Sequence, residues 1–187
     1  MGVDKLHPTT WRTCRVLANH TRLQMLALLL HEPKLTVSAV AERLRLALPR
    51  VSSHLRALES RGFLAVHRVG RHVTYRWSPL TSETAVQALL SAMREVLQSK
   101  HEPIEVIFKT ATAFTHPRRL EIVRTLNESP RTFEILQRTT HIPRPALFRH
   151  LNKLRARRFL SFQSGWFLIE TPADPIGREL LRMAVEG

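Results

Sequence analysis

One stretch of the chain is a copy of another: residues 36–64 align with residues 132–160 without a gap. Thr36, Pro49, His54, Leu55, Leu58, Arg61, Phe63 and Leu64 recur as Thr132, Pro145, His150, Leu151, Leu154, Arg157, Phe159 and Leu160. Upstream, with one residue of slippage, Arg22-Leu23 matches Arg119-Leu120 and Leu29 matches Leu126. A duplication on this scale constrains a 187-residue chain to fold as two versions of one small domain. The boundary falls near residues 101–103, so the expected domains are residues 1–101 and 102–187.

Each copy carries the same succession of patterns. In the first, Leu23, Leu26, Ala27 and Leu30 recur at helical spacing, and a second helix is predicted over Val37–Leu44, with Thr36 as its N-cap. Thr132 stands in the same place in the second copy. After a break at Arg45–Leu48, a third helix is predicted over Pro49–Arg61, with proline in its first turn and Val51, Leu55 and Leu58 as its buried stripe. Gly62 ends that helix. Residues 63–69 then alternate as a strand, Gly70-Arg71 makes a tight turn, and Val73–Trp77 returns. The second copy repeats the hairpin with Phe159–Gln163, a Ser164-Gly165 turn and Trp166–Ile169. Helix, helix, helix and hairpin is the pattern of a winged helix-turn-helix domain. The expected fold class is therefore mostly α with small β-hairpin wings, as two tandem winged helix-turn-helix domains. Apolar stripes over Ser82–Lys100, from Pro103 onward, and at Ile176, Leu180, Leu181 and Ala184 add framing helices.

Charge narrows the function. The formal net charge is +14, with 15 basic and 6 acidic side chains over residues 1–100 and 14 and 9 over residues 101–187, so both halves attract polyanions. Most of the cations are arginines, whose planar fork suits phosphates and guanine edges. Eight arginines and one acid lie between Arg43 and Arg76; seven Lys/Arg and no acid lie between Arg138 and Arg158. Each cluster surrounds a third helix, which a helix-turn-helix lays in the major groove. With Val51, Leu55 and Leu58 facing inward, Arg50, Ser53, His54 and Arg56 face solvent or the groove. Arg50 is the candidate for bidentate contact with guanine, and Ser52 or Ser53 can take phosphate or base contacts. In the wing, Arg68, Arg71 and His72 bracket the turn and suit a phosphate ridge or the minor groove. For His54 and His150, a place beside the core explains the recurrence as well as a DNA contact does.

These residues resemble a known family. Leu17 to Leu23, Val51 to Leu58, Gly62-Phe63-Leu64 and Arg68 to Tyr75 look like the ArsR family of winged-helix transcriptional regulators, over residues 11–100. The second half is similar through residues 116–120 and 148–151. The resemblance implies a bacterial or archaeal-type regulator whose terminal helices build a dimer interface.

The chain departs from that family in two ways. The Cys pairs and the Asp/His pairs of its metal-sensing members are missing: Cys14 stands alone and the ten histidines are scattered, so no metal and no cofactor is expected. The family also works as a homodimer of single domains, whereas both domains lie here in one chain. An intramolecular pseudo-dimer, or a homodimer, is expected through Thr10–Ala18, Ser82–Lys100, Ile104–Phe114 and the C-terminal helix, with recognition helices in successive major grooves and an asymmetric operator. In the second domain Phe148 replaces a small polar residue and the wing has no arginine. That domain either keeps DNA contact through Arg144, Arg149 and Lys153 or serves as a dimerisation or ligand-sensing module.

The expected function is thus a sequence-specific regulator of transcription that binds double-stranded DNA and acts as a repressor. The alternative is a winged-helix protein-interaction or architectural adaptor that binds nucleic acid nonspecifically. RNA binding is weaker, since no aromatic stacking platform on a sheet is visible. Catalysis is not expected: there is no nucleophile elbow, glycine-rich phosphate loop or HExxH motif. The longest apolar run, Met25 to Leu30, is far short of the ~20 residues that span a bilayer, so no membrane partner is expected, and the single cysteine with no secretory signal pattern makes a cytoplasmic place the expectation.

Overall fold

The structure, a computed structural model, describes residues 9–70, 72–79, 85–99 and 102–186. Arg71, Ser82 to Thr84 and Lys100, all named above, lie outside the described residues, as does the side chain of His72. In chain order the elements are α1 (Thr10–Leu17), α2 (His20–His31), α3 (Val37–Leu44), α4 (Leu48–Glu59), β1 (Leu64–Val69), β2 (His72–Trp77), α5 (Ala85–Leu97) and α6 (Pro103–Ala111). A 3-10 turn (Thr112–Phe114), α7 (Pro117–Glu128), α8 (Phe133–Thr140), α9 (Arg144–Ala156), β3 (Leu160–Gln163), β4 (Trp166–Ile169) and α10 (Pro175–Glu186) follow. These make two winged helix-turn-helix domains in tandem, an α+β fold with one antiparallel hairpin in each. The packing does not follow a single cut in the sequence. Residues 19–108 form one compact unit, while residues 9–18 join residues 109–186 in the other.

In the first unit, local chemistry sets each helix end. The Asn19 side chain accepts from the Arg22 N–H (3.0 Å) at the start of α2, and Thr36 Oγ1 accepts from the Ala39 N–H (3.2 Å) at the start of α3. Helix α3 stops at Arg45, whose φ of 52° is left-handed. Helix α4 has no side-chain cap but holds Pro49 in its first turn, where the missing N–H costs nothing. Leu23, Leu26, Val51, Leu55, Leu58 and Phe63 are fully buried, each stabilising the core by roughly 1.5–3 kcal/mol. Gly62, at φ +77°, turns the chain out of α4 and into the wing. The wing pairs Leu64 with Trp77 through to Val69 with His72. Two contacts anchor it: the Tyr75 N–H donates to Leu35 O (3.3 Å) beside an isolated bridge between Thr36 and Thr74, and Trp77 Nε1–H donates to Leu26 O (2.9 Å).

The second unit repeats this plan. Thr132 Oγ1 caps α8 at the Ile135 N–H (3.4 Å), α8 stops at a left-handed His141 (φ 52°), and an isolated bridge joins Arg131 to Phe167 of the hairpin. Its hairpin turns through Ser164 and Gly165, both at positive φ (49° and 86°), the pattern of a two-residue type I′ turn. Two features are its own. Arg158, at φ 59°, occupies the position that Gly62 holds in the first unit. Helix α1 packs against α10 and the 3-10 turn, with Thr10 Oγ1 donating to Met183 O (2.9 Å). Cys14 in α1 is fully buried, and that burial pushes its thiol up to about 12 against the opposing pull of the Arg119 guanidinium, so it stays protonated and unreactive.

Candidate nucleic-acid interface

Helix α4 presents two faces because its apolar residues recur every three or four positions. Val51, Leu55 and Leu58 point into the core, which leaves Arg50, Ser53 and Arg56 exposed and Ser52 half-buried. Arg56 is steadied by its own helix, its Nε–H donating to Ser52 O (3.3 Å). Arg68 is exposed on β1. Burial raises the pKa of the Tyr75 phenol and Glu59 adds to the rise, while Arg56 and Arg68 both oppose it. The cation of the helix and the cation of the wing therefore lie close to one buried ring. Arg43 is taken up by an ion pair with Glu32.

His54 is half-buried, and its Nε2 has no hydrogen-bond partner among the described residues. Its pKa is lowered, first by burial and then by the cations of Arg22 and Arg50. The ring thus stays neutral beside two guanidinium groups. Its counterpart behaves alike. His150 of α9 lies 4.7 Å from His116, centroid to centroid, and its pKa falls to about 4 through burial first, then His116, Arg119, Arg149 and Arg118. His116 Nδ1 accepts from the Arg118 N–H (3.1 Å) as the cap of α7, the place that Asn19 holds on α2.

On α9 the inward stripe is Leu147, Leu151 and Leu154, and the outward residues include Arg144 and Arg149, with Lys153 half-buried. Arg144 lies over the Phe133 ring (4.8 Å) and donates to Gln137 Oε1 (3.4 Å). Burial lowers the Lys153 pKa, with Arg157 and Arg119 adding to it. This face also carries aromatic surface. Phe148 is 59% exposed, and the wing exposes Phe162 (47%) and Trp166 (43%). The first unit exposes only Leu48 among large apolar side chains of the described residues.

Sequence models of two families match the chain. One described as winged helix-turn-helix DNA-binding covers residues 19–65, and one described as bacterial regulatory protein, arsR family, covers residues 116–161. The chain carries two tandem ArsR-like winged helix-turn-helix domains. No curated protein and no solved structure matches it. In this tandem ArsR-like protein both matched intervals open on the cap of the helix that precedes the helix-turn-helix, Asn19 of α2 or His116 of α7, and close just inside the first wing strand. The two domains are thus DNA-binding modules of a regulatory kind.

Periodicity singled out the cations of α4 and α9 but passed over what lies beneath them. Arg119 is buried, its Nε–H bound to Ala113 O and its Nη2 donating to Thr112 O (3.3 Å) and Thr115 Oγ1 (2.6 Å), so it braces the loop that leads into α7. Arg22, its counterpart, is half-buried close to His54. The signal was present in the sequence, since Asn19-x-x-Arg22 and His116-x-x-Arg119 share one spacing. Among the described residues no three His, Cys, Asp or Glu side chains gather as a metal site, and no helix is long and apolar enough to cross a membrane.

Proposed function

We propose that the protein is a sequence-specific regulator of transcription that binds double-stranded DNA, with α4 in the major groove and the first wing on the backbone. The observation that carries this reading is the outward face of α4, where Arg50, Ser53 and Arg56 are exposed beside Arg68 of the wing. Arg50, in the first turn of α4, is placed to meet a base edge, and Ser52 and Ser53 follow it. Arg56, Arg68, Arg71 and His72 supply phosphate contacts, and His54 holds the helix in position beside Arg22. Arg144, Arg149 and Lys153 extend the same role to α9. A protein seated on an operator excludes other proteins from it, so repression is the direct consequence.

Selection of the full chain on a randomised duplex pool at two salt concentrations tests the proposal. An enriched motif of two unlike half-sites is expected, because the outward residues of α4 and α9 differ. Binding without enrichment, lost as salt rises, would move the protein to the nonspecific architectural class. Arg50→Ala is expected to relax one base position, and Arg71→Ala to weaken all sequences alike.

A further inference from the structure

We propose that the β3–β4 hairpin of the second unit binds unpaired nucleobases, taking a single-stranded segment that adjoins the duplex met by α9. This rests on the reading that both units meet nucleic acid on their helix-and-wing faces. Phe148, Phe162 and Trp166 are the only exposed aromatics among the large apolar side chains that the described residues leave exposed, and all three lie on this one helix and this one hairpin. Leaving three such rings in water forgoes burial that a core would reward, so a partner covers them.

Charge says which kind of partner. From Arg138 to Arg158 there are seven Lys/Arg and no acid, which favours a polyanion. Ring faces next to guanidinium groups are the combination that single strands use: cations follow the phosphates and bases stack on the rings. Arg155 lies over Phe162, 5.7 Å from the ring centroid, and the Phe167 ring supports Phe162 at 4.7 Å, which leaves the 47% of Phe162 that is exposed for a base.

The hairpin register gives the geometry. Phe162 pairs with Phe167 and Trp166 pairs with Gln163, so the two exposed rings stand on opposite faces of a hairpin whose strands are four residues long. Such a hairpin offers one ring to each side. In a duplex the base faces are hidden in the stack, and exposing them costs a few kcal/mol per step. Where bases are already unpaired, that cost is absent. The first unit has Val66 and Thr74 at the matching wing positions, so its wing cannot act in this way.

The test compares the full chain on three labelled probes by fluorescence anisotropy: a blunt duplex, the same duplex with a single-stranded tail of about ten nucleotides, and the tail alone. The tail is expected to raise affinity about tenfold over the blunt duplex. The double variant Phe162→Ala/Trp166→Ala should lose that gain while binding the blunt duplex as the wild type does. The more conservative Phe162→Leu/Trp166→Leu keeps apolar area and removes the ring faces, and it should lose the gain as well. Trp166 fluorescence should be quenched by the single strand, a signal that Trp166→Phe removes while keeping the affinity. Equal affinity for tailed and blunt duplexes, or leucine variants that bind the tail as the wild type does, would overturn the proposal. A chain that bound the tail but no blunt duplex would sink the duplex reading alone and leave this one standing.

Discussion

The two units share a scaffold and differ on its outer face. Val51, Leu55 and Leu58 of α4 correspond to Leu147, Leu151 and Leu154 of α9, and every one of these is buried. The outward positions have changed character: Ser52 stands against Phe148, Arg50 against Ala146, Val66 against Phe162 and Thr74 against Trp166. Inward positions are held by packing, where a lost methylene is felt at once. Outward positions carry no such constraint. Duplication therefore leaves one copy free to change its ligand while keeping its fold.

The largest expected effects probe the shared part. Leu55→Ala and Leu151→Ala should each destabilise by ~2–5 kcal/mol, read in urea melts followed by circular dichroism. Each should lower the transition of its own unit; a single transition moved equally by either variant would break the picture of two separate cores. Arg50→Ala should weaken duplex binding by ~1–3 kcal/mol and relax one base position, whereas Arg144→Ala should weaken all sequences alike and reduce the salt slope by about one. Equal, sequence-blind losses would erase the distinction between the faces. Arg158→Gly should stabilise the second unit by ~0.5–1 kcal/mol, since it removes a side chain from a left-handed position that glycine fills in the first unit. An unchanged melting temperature would show that the arginine's contacts offset its backbone strain.

A further effect is on pH dependence. His150 sits at about 4 in the folded chain against 6.5 when unperturbed, so the unfolded chain binds more protons between those values. The stability it contributes is complete above about 6.5 and is lost as pH falls toward about 4. Thermal melts at neutral and mildly acid pH should show this loss, and His150→Gln should flatten the slope. A slope unchanged in that variant would assign the acid sensitivity to other groups.

Much of the fold was legible in the sequence because its determinants are local. Thr36 and Thr132 mark helix starts, Gly62 marks a helix end, and the Ser164-Gly165 turn marks a hairpin. What was not legible depends on distant partners. The stripe of α1 shows that Thr13, Cys14 and Leu17 are buried, but nothing within those eight residues says that α10 is among their neighbours. For the candidate site, alternation separates Trp166 from Phe167 only once the register is known, since a slip of one residue would exchange the exposed ring for the buried one. Spacing located the cations of α4 and α9, whereas the aromatic surface of the second wing depends on that register.

The bond between Thr10 and Met183, 173 residues apart, also bears on how the chain is made. Helix α1 leaves the ribosome before α10, which follows only after the whole of the first winged helix has been synthesised. At ~5–20 residues per second that interval is on the order of ten seconds or more. Throughout it, the buried face of α1 has no α10 to cover it, while residues 19–108 can already have closed around their own core.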